Sequence, residues 1–392
     1  MTTDTPDTAS STTGDDDTPD TPTVAVFGSV NLDRTRRVPD DEVAALDADP
    51  AVPPRGTTAP AESPPDDFDA DAIRLGGKGA NQAVAAARAG AATTLVGAVG
   101  SDATDHAVRE TLVDEGVETA LATRETETGA AFVWVTPDGD NRILVRPGAN
   151  DTLDASDAER ALAAAREADV VLLQNEVPVA AAEALLDALP SRSAGGEAAD
   201  TTDTAAGQRP LVVVDPAPAP GAVPLVDHPR VDVFVPNETE FAGLCGPLAA
   251  ARERGAVVVR TDGPDGATVF AGDDAATDDE VATDPLATPS FRVSAPSAPV
   301  VDTTGAGDAF AGYFAATLAA AETRTVADTT TARGRIGTAT LRAAVERGVR
   351  AGTLSCAEAG AMTAPRAADV DDAPDGDARG DGTHRDATDE SP

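Results

Sequence analysis

Lysine is almost absent from this chain of 392 residues: it occurs once, at position 78, and arginine supplies the rest of the strong positive charge. Aromatic residues make up 3%, and there are two cysteines, Cys245 and Cys356. Two isolated cysteines exclude a disulfide framework or a multi-cysteine zinc site and suit a reducing compartment. Basic charge is scarce as a whole, because 29 Lys and Arg stand against 68 Asp and Glu for a net charge of −39. A negative field of that size argues against nucleic acid and anionic membranes as partners. No run of about 18 consecutive apolar residues occurs, and the first 21 residues lack the basic and apolar regions of a secretory signal. The expectation is a soluble, cytoplasmic protein.

What is present is a hydrophobic content of 41%, enough to build a sizeable core. An acidic surface with almost no lysine suits a potassium-rich, salt-adapted cytosol. Molar salt shortens the Debye length to a few ångströms, so carboxylates that would repel one another in dilute buffer are screened.

Residues 1–21 and 367–392 are rich in Asp, Thr, Pro and Gly, bury too little apolar surface to offset the entropy of ordering, and are expected to be disordered tails. Between them, residues 22–366 form the working domain. Short apolar runs at 24–27, 95–99, 131–135, 143–145, 170–173, 211–214, 231–235 and 257–259 read as strands. Alanine-rich stretches at 81–89, 103–115, 156–168, 179–189, 306–320 and 336–354 read as helices. Their alternation predicts an α/β fold, a mostly parallel central sheet with helices on both faces and ligands at the carboxyl ends of the strands. Residues 34–72 are Asp/Pro-rich with few apolar positions and read as a flap or lid; residues 191–209 read as a surface insertion.

Two glycine-rich turns carry the chemistry. In the first, Asp302-Thr303-Thr304-Gly305-Ala306-Gly307-Asp308 runs straight into a helical stretch. Small residues at a helix start let backbone N–H groups converge on an anion, aided by the positive end of the helix dipole. A carboxylate at Asp308 then lies where a base can take the proton of an attacking hydroxyl while the amides hold a transferring phosphoryl group. The second turn, Gly76-Gly77-Lys78-Gly79-Ala80-Asn81-Gln82, holds the single lysine. Its survival where arginine replaces lysine everywhere else points to a need for a compact ammonium rather than a planar fork. Neither turn is a Walker A loop, since Gly79 follows the lysine, nor a Rossmann fingerprint, since Phe310 fills the third glycine position.

With these turns, the segments GSVNLD (28–33), RPGAN (146–150), LQNEVP (173–178), DPAPA (215–219), PNETE (236–240) and TDGPDGA (261–267) occur in order, and the chain from about residue 23 to 365 resembles the ribokinase (PfkB) family of carbohydrate kinases. The resemblance implies a ribokinase-like α/β fold with a small β lid, drawn largely from residues 34–75 with further strands from 130–146. It implies an ATP-dependent kinase with Asp308 as general base and Gly305, Ala306 and Gly307 as the anion hole. Asn31, Asp33, Gly77, Lys78, Asn81 and Glu176, together with Asp308, would hold the sugar hydroxyls. Asn237, Glu240, Thr261, Asp262, Gly263, Gly266 and Gly307 would serve ATP, with Mg2+ organised through Asn237 and Glu240. Asp302 and Thr304 match one side of a potassium site whose other side would come from Ser355, Glu358, Gly360 and Thr363. D-ribose is the expected substrate, another sugar (deoxyribose, fructose, 2-keto-3-deoxygluconate) or a nucleoside the alternative, and a homodimer through the lid a further expectation. A non-catalytic sugar- or nucleotide-binding protein on the same fold would show a lost base or a broken anion hole; both are intact here.

Overall fold

The structure is a computed structural model that describes residues 21–55, 58–65, 68–104, 106–137, 141–190, 209–271, 286–327 and 336–372. Of the expected tails at 1–21 and 367–392, residues 1–20 and 373–392 lie outside the described residues, as does nearly all of the 191–209 insertion.

In chain order the strands are β1 (Thr23–Phe27), β2 (Asn31–Arg37), β3 (Thr58–Pro60), β4 (Ala72–Gly76), β5 (Ala92–Val99), β6 (Val117–Thr123) and β7 (Gly129–Val135). They continue with β8 (Asn141–Arg146), β9 (Val170–Gln174), β10 (Leu211–Asp215), β11 (Val233–Phe234), β12 (Val257–Thr261), β13 (Ala267–Phe270) and β14 (Phe291–Val293). Nine of them form the main sheet in the order β14-β13-β12-β11-β10-β9-β1-β5-β6. It is parallel from β12 through β6, and only β13 and β14 pair antiparallel.

The apolar runs become central strands because both of their faces are covered. Val24, Val26, Val170 and Leu172 point into one apolar cluster, while Ala25, Phe27, Val171 and Leu173 point into another on the opposite face. Helices Lys78–Arg88, Val108–Asp114, Ala306–Ala327 and Thr338–Ser355 close the first face. Helices Ala155–Ala165, Val179–Ala188, Val223–Asp227 and Cys245–Glu253 close the second. Helices Lys78–Arg88 and Ala306–Ala327 cross closely at Gly312, where a Cβ would stand 2.4 Å from that of Ala85 and 2.6 Å from the carbonyl of Gln82. That close approach brings the first turns of the two helices together.

The other five strands form a separate sheet, ordered β3-β8-β7-β2-β4. Side-chain alternation splits its faces. Phe132, Trp134, Leu144 and Ala130 lie on one face beneath Val38, Val43, Leu46, Val52 and Phe68, whose ring stands edge-on to Phe132 and Trp134 at 5.2 and 5.0 Å. The few apolar residues of the acidic segment 34–72 are therefore the ones that seat it. The opposite face carries Asn31 and Asp33.

Two differences from the sequence reading have physical causes. The helix expected over 103–115 is broken into a 3-10 turn, Ser101–Thr104, and a helix, Val108–Asp114, by Ala107 at a left-handed φ of 48°. Order also runs past Arg366: Ala367–Asp371 is a short helix, held by the fully buried Val370 and by an ion pair from Arg347 to Asp371 at 3.0 Å.

Candidate active site

The carboxyl ends of β1, β9 and β10 open onto the starts of helices Lys78–Arg88 and Ala306–Ala327. The chain runs outward from β1 in both directions there, the switch point at which such sheets form their crevice. Gly77 is the N-cap of the first helix with φ +90°, and a Cβ on it would stand 2.8 Å from the amide of Asn31. Only glycine allows the turn to lie against β2.

Asp308 is buried on the first turn of its helix. Its Oδ2 accepts from Asn81 Nδ2 at 2.9 Å, its Oδ1 accepts from Gln82 Nε2 at 3.0 Å, and Lys78 Nζ stands 3.5 Å from Oδ1. Lys78 Nζ also reaches Asp215 Oδ2 at 3.2 Å, and Gln82 Nε2 donates to the same oxygen at 2.8 Å. Gln174 Nε2 donates to Gln82 Oε1 at 2.6 Å, which turns the Gln82 amide so that its N–H groups face the two carboxylates. An ammonium and an amide thus hold Asp215 and Asp308 side by side. Burial opposes the Lys78 charge, yet Asp215, Asp308, Glu176 and Glu240 together hold its pKa well above 10.5.

Glu176 is pushed up by burial, against the pull of Lys78 and of donors from Ser29 Oγ at 2.5 Å and the Lys78 amide at 3.0 Å. Asp215 is also raised, first by burial, with Lys78 holding it down and Asp308 pushing it further up. Asp33 is pushed up to about 7 by burial and by the neighbouring charges of Glu176 and Asp308. Asn31 Oδ1 accepts from Asn150 Nδ2 at 2.8 Å, and Asn150 also grips the backbone of Val30 through both of its polar atoms.

On the far side of the crevice, Asn237 and Glu240 bond reciprocally in a capping box, each side chain accepting the other's amide at 2.9 Å. Burial and the nearby Asp215 raise the Glu240 carboxyl. Thr261 ends β12 and bridges to Asn237. Asp262 is committed to its own turn, accepting from Arg260 Nε and Thr268 Oγ1 at 2.5 Å each, while Gly263 and Gly266 form the bend beside it.

Gly305, Ala306 and Gly307 open the second helix; Ala306 N donates to Thr303 O at 3.2 Å, while among the described residues the amides of Gly305 and Gly307 have no backbone acceptor. Asp302 takes Thr304 N on Oδ1 at 2.9 Å and Gly360 N on Oδ2 at 3.0 Å. Among the described residues no hydrogen bond joins Ser355, Glu358 or Thr363 to Asp302. Ser355 and Thr363 donate their hydroxyls to the carbonyls of Gly352 and Gly360, and Glu358 is exposed. Among the described residues no group of three or more His, Cys, Asp or Glu side chains is arranged to hold a metal ion.

Gln82, Gln174, Ser29, Asn150 and Asp215 escaped the assignment of roles from sequence. Gln82 had a visible signal, since Lys78, Asn81 and Gln82 stand at i, i+3 and i+4 on one helix face. So did Asp215, a carboxylate closing an otherwise apolar strand.

A buried carboxylate beside the glycine amides of a helix start, with polar side chains across a crevice, is the equipment of an enzyme that moves an anionic group onto an alcohol. The chain belongs to the pfkB family of carbohydrate kinases, whose model matches residues 61–368. It is an ATP-dependent sugar kinase. Ribokinase from Bacillus subtilis is 34% identical over 252 residues, 62% of this chain and 74% of that protein. Deoxyribokinase from Salmonella typhi is 33% identical over 258 residues, again 62% of this chain and 74% of that protein. The ribokinase of Arabidopsis thaliana, solved with ribose and ATP, shares the fold with a TM-score of 0.59, 24% identity and coverage of 89% of this chain and 97% of that one.

Proposed function

We propose that the protein phosphorylates D-ribose on its 5-hydroxyl, with Asp308 as general base. The observation that carries this is the placement of the Asp308 carboxylate on the first turn of its helix, beside the amides of Gly305 and Gly307, which have no backbone acceptor among the described residues, and within hydrogen-bond reach of Asn81. The sugar would lie between the Asp33 face of the five-stranded sheet and the Lys78–Gln82 turn, its hydroxyls shared among Asn31, Asp33, Gly77, Asn81 and Glu176. Its primary hydroxyl would point at Asp308, which accepts the proton as the oxygen attacks the γ-phosphorus, while the amides of Gly305, Ala306 and Gly307 take the charge on the transferring group. Deoxyribose is the nearest competitor, since deoxyribokinase is a relative of similar identity.

The nucleotide would lie along Asn237, Glu240, Thr261 and the Gly263–Gly266 bend. Mg2+ accompanying ATP fits the crowded carboxylates of Glu240 and Asp215, an all-oxygen pair whose mutual repulsion a hard cation would relieve. Bound there, the ion would draw charge off the phosphate oxygens. Potassium at Asp302, Thr304 and Gly360 belongs to the same reading. We also assign residues 22–366 as the kinase domain and the five-stranded sheet as its lid. A homodimer would form at an edge of that sheet, because its apolar face is covered by the chain's own segment.

An ADP-release screen over pentoses, hexoses and nucleosides tests the proposal in molar KCl, the condition that suits a salt-rich cytoplasm. Ribose is expected to give the highest kcat/KM, and activity is expected to fall away in dilute buffer as unscreened carboxylates repel. Preference for a nucleoside or hexose would overturn ribose; full activity in dilute buffer would overturn the salt adaptation.

The raised Asp33 carboxyl predicts a pH dependence. Below pH 7 the side chain takes up a proton and loses an acceptor for paired hydroxyls, so the sugar KM is expected to rise about tenfold per pH unit under that value. Stability runs the other way: a folded-state pKa above the ordinary 3.8 means the group's contribution is complete below 3.8 and lost as pH rises through about 7. Asp33→Asn is therefore expected to melt higher at alkaline pH and to flatten the KM profile, and an unchanged profile in that variant would remove Asp33 from the sugar site.

A further inference from the structure

Arg74 stands on β4, the edge strand of the five-stranded sheet, directly opposite Asp33 in the antiparallel register with β2. The chain carries 68 acidic residues, yet among the described residues this arginine forms no ion pair. Its Nη1 donates instead to the backbone carbonyl of Ala359, 285 positions away and at 3.0 Å. Ala359 belongs to the loop that follows helix Thr338–Ser355, and that loop is bound to the glycine-rich turn of Asp308 at several points. Val301 N and Asp302 N donate to Cys356 O at 2.7 and 3.2 Å, and Gly360 N donates to Asp302 Oδ2 at 3.0 Å. Asp302 Oδ1 in turn fixes Thr304 N, and Gly305 lies so close to Ala361 that a Cβ would stand 2.0 Å from its carbonyl oxygen.

Three short links therefore join the sugar-facing sheet to the start of the Asp308 helix: Arg74 to Ala359, Gly360 to Asp302, and Asp302 to Thr304. We propose that Arg74 is a positioning residue for phosphoryl transfer, a latch through which the placement of the five-stranded sheet fixes the loop that supports the anion-holding turn. The inference rests on the sugar-kinase reading above and adds to it a route by which a sugar seated on Asp33 would set the amides on the phosphate side. The physical warrant is continuity. Asp33 and Arg74 are a cross-strand pair, so a sheet drawn toward the sugar carries the guanidinium with it, and a guanidinium fork can hold a carbonyl oxygen at a fixed angle where a flexible ammonium cannot.

The test uses Arg74→Ala and Arg74→Lys in the full chain. Amide hydrogen exchange across residues 356–363 in the unliganded protein reads the latch without catalysis, and steady-state kinetics with calorimetric sugar binding read its consequence. Arg74→Ala is expected to speed exchange at the Gly360 amide, to lower kcat about three- to tenfold, the worth of one hydrogen bond of this kind, and to leave the sugar Kd within about twofold. Arg74→Lys should fall between the variant and the parent. Unchanged exchange in Arg74→Ala would overturn the latch. So would a weakened sugar Kd with exchange and kcat intact, which would make Arg74 a plain sugar contact. If the unmodified protein phosphorylates no sugar, the functional reading fails, while the exchange measurement still decides whether Arg74 holds the loop.

Discussion

Asp308→Asn is expected to lower kcat about 1000-fold, in the middle of the range a positioned general base supplies, with sugar affinity nearly unchanged. The side chain keeps its size and its place, and the fold can absorb the swap. Asp308 currently accepts from Asn81 Nδ2 and Gln82 Nε2, so a new amide N–H would face a donor. Asn81 has the remedy in hand, because among the described residues its buried Oδ1 has no hydrogen-bond partner and a turn of the amide would present it as the acceptor. Structural damage is thereby separated from chemical damage: a melting temperature near the parent's with turnover lost is the expected result. Turnover within about tenfold of the parent's would remove Asp308 from the role of base.

Lys78→Ala should be nearly as costly, and for a different reason. The ammonium stands 3.2 Å from Asp215 and 3.5 Å from Asp308, and its backbone N–H binds Glu176. Without it the buried carboxyls of Asp215 and Glu176, already pushed up by burial, lose the charge that holds them down and rise further. Removing one such preorganised electrostatic group costs about 100-fold in kcat. The pH–rate profile should also move to higher pH, since the site would reach its charged form later. The side chain of Lys78 is 26% exposed, so the loss of fold stability is discounted to about 1–2 kcal/mol. The sequence suggested a sugar contact and hence an effect on KM; the geometry adds a larger one on kcat and its pH dependence. A rise in sugar KM with kcat and pH profile unmoved would return the lysine to sugar binding alone.

Much of the fold was legible before any coordinates. The apolar runs became strands at nearly the expected places because a run of Val and Leu buried on both faces has little alternative in an α/β chain. Boundaries were less legible. The helix read over 103–115 breaks at Ala107, whose left-handed backbone no periodicity announces, and Ala367–Asp371 is ordered by one apolar residue, Val370, within a stretch that composition assigns to a tail. In the site, the two glycine-rich turns and Asp308 could be read from local chemistry. Asp262 could not be judged that way: its position suits a nucleotide loop, yet its oxygens hold Arg260 and Thr268, and only contacts across a turn reveal it. The hydroxyls of Ser355 and Thr363 likewise donate to the carbonyls of Gly352 and Gly360, partners that the residue types alone did not foretell.

By itself the sequence determined the local pieces: buried parallel strands, turns that only small residues permit, an acidic surface, and one lysine retained among arginines. Only the tertiary structure decided that Asp308 receives donors from residues 227 and 226 positions earlier, that Gln82 and Lys78 clamp it beside Asp215, and that Arg74 reaches the loop at Ala359. The physical reason is range. Backbone preference and burial pattern act over a few residues and are written locally, whereas the pairing of charges across a crevice depends on where close-packed helices cross, and at Gly312 that crossing is set by contacts no single segment contains.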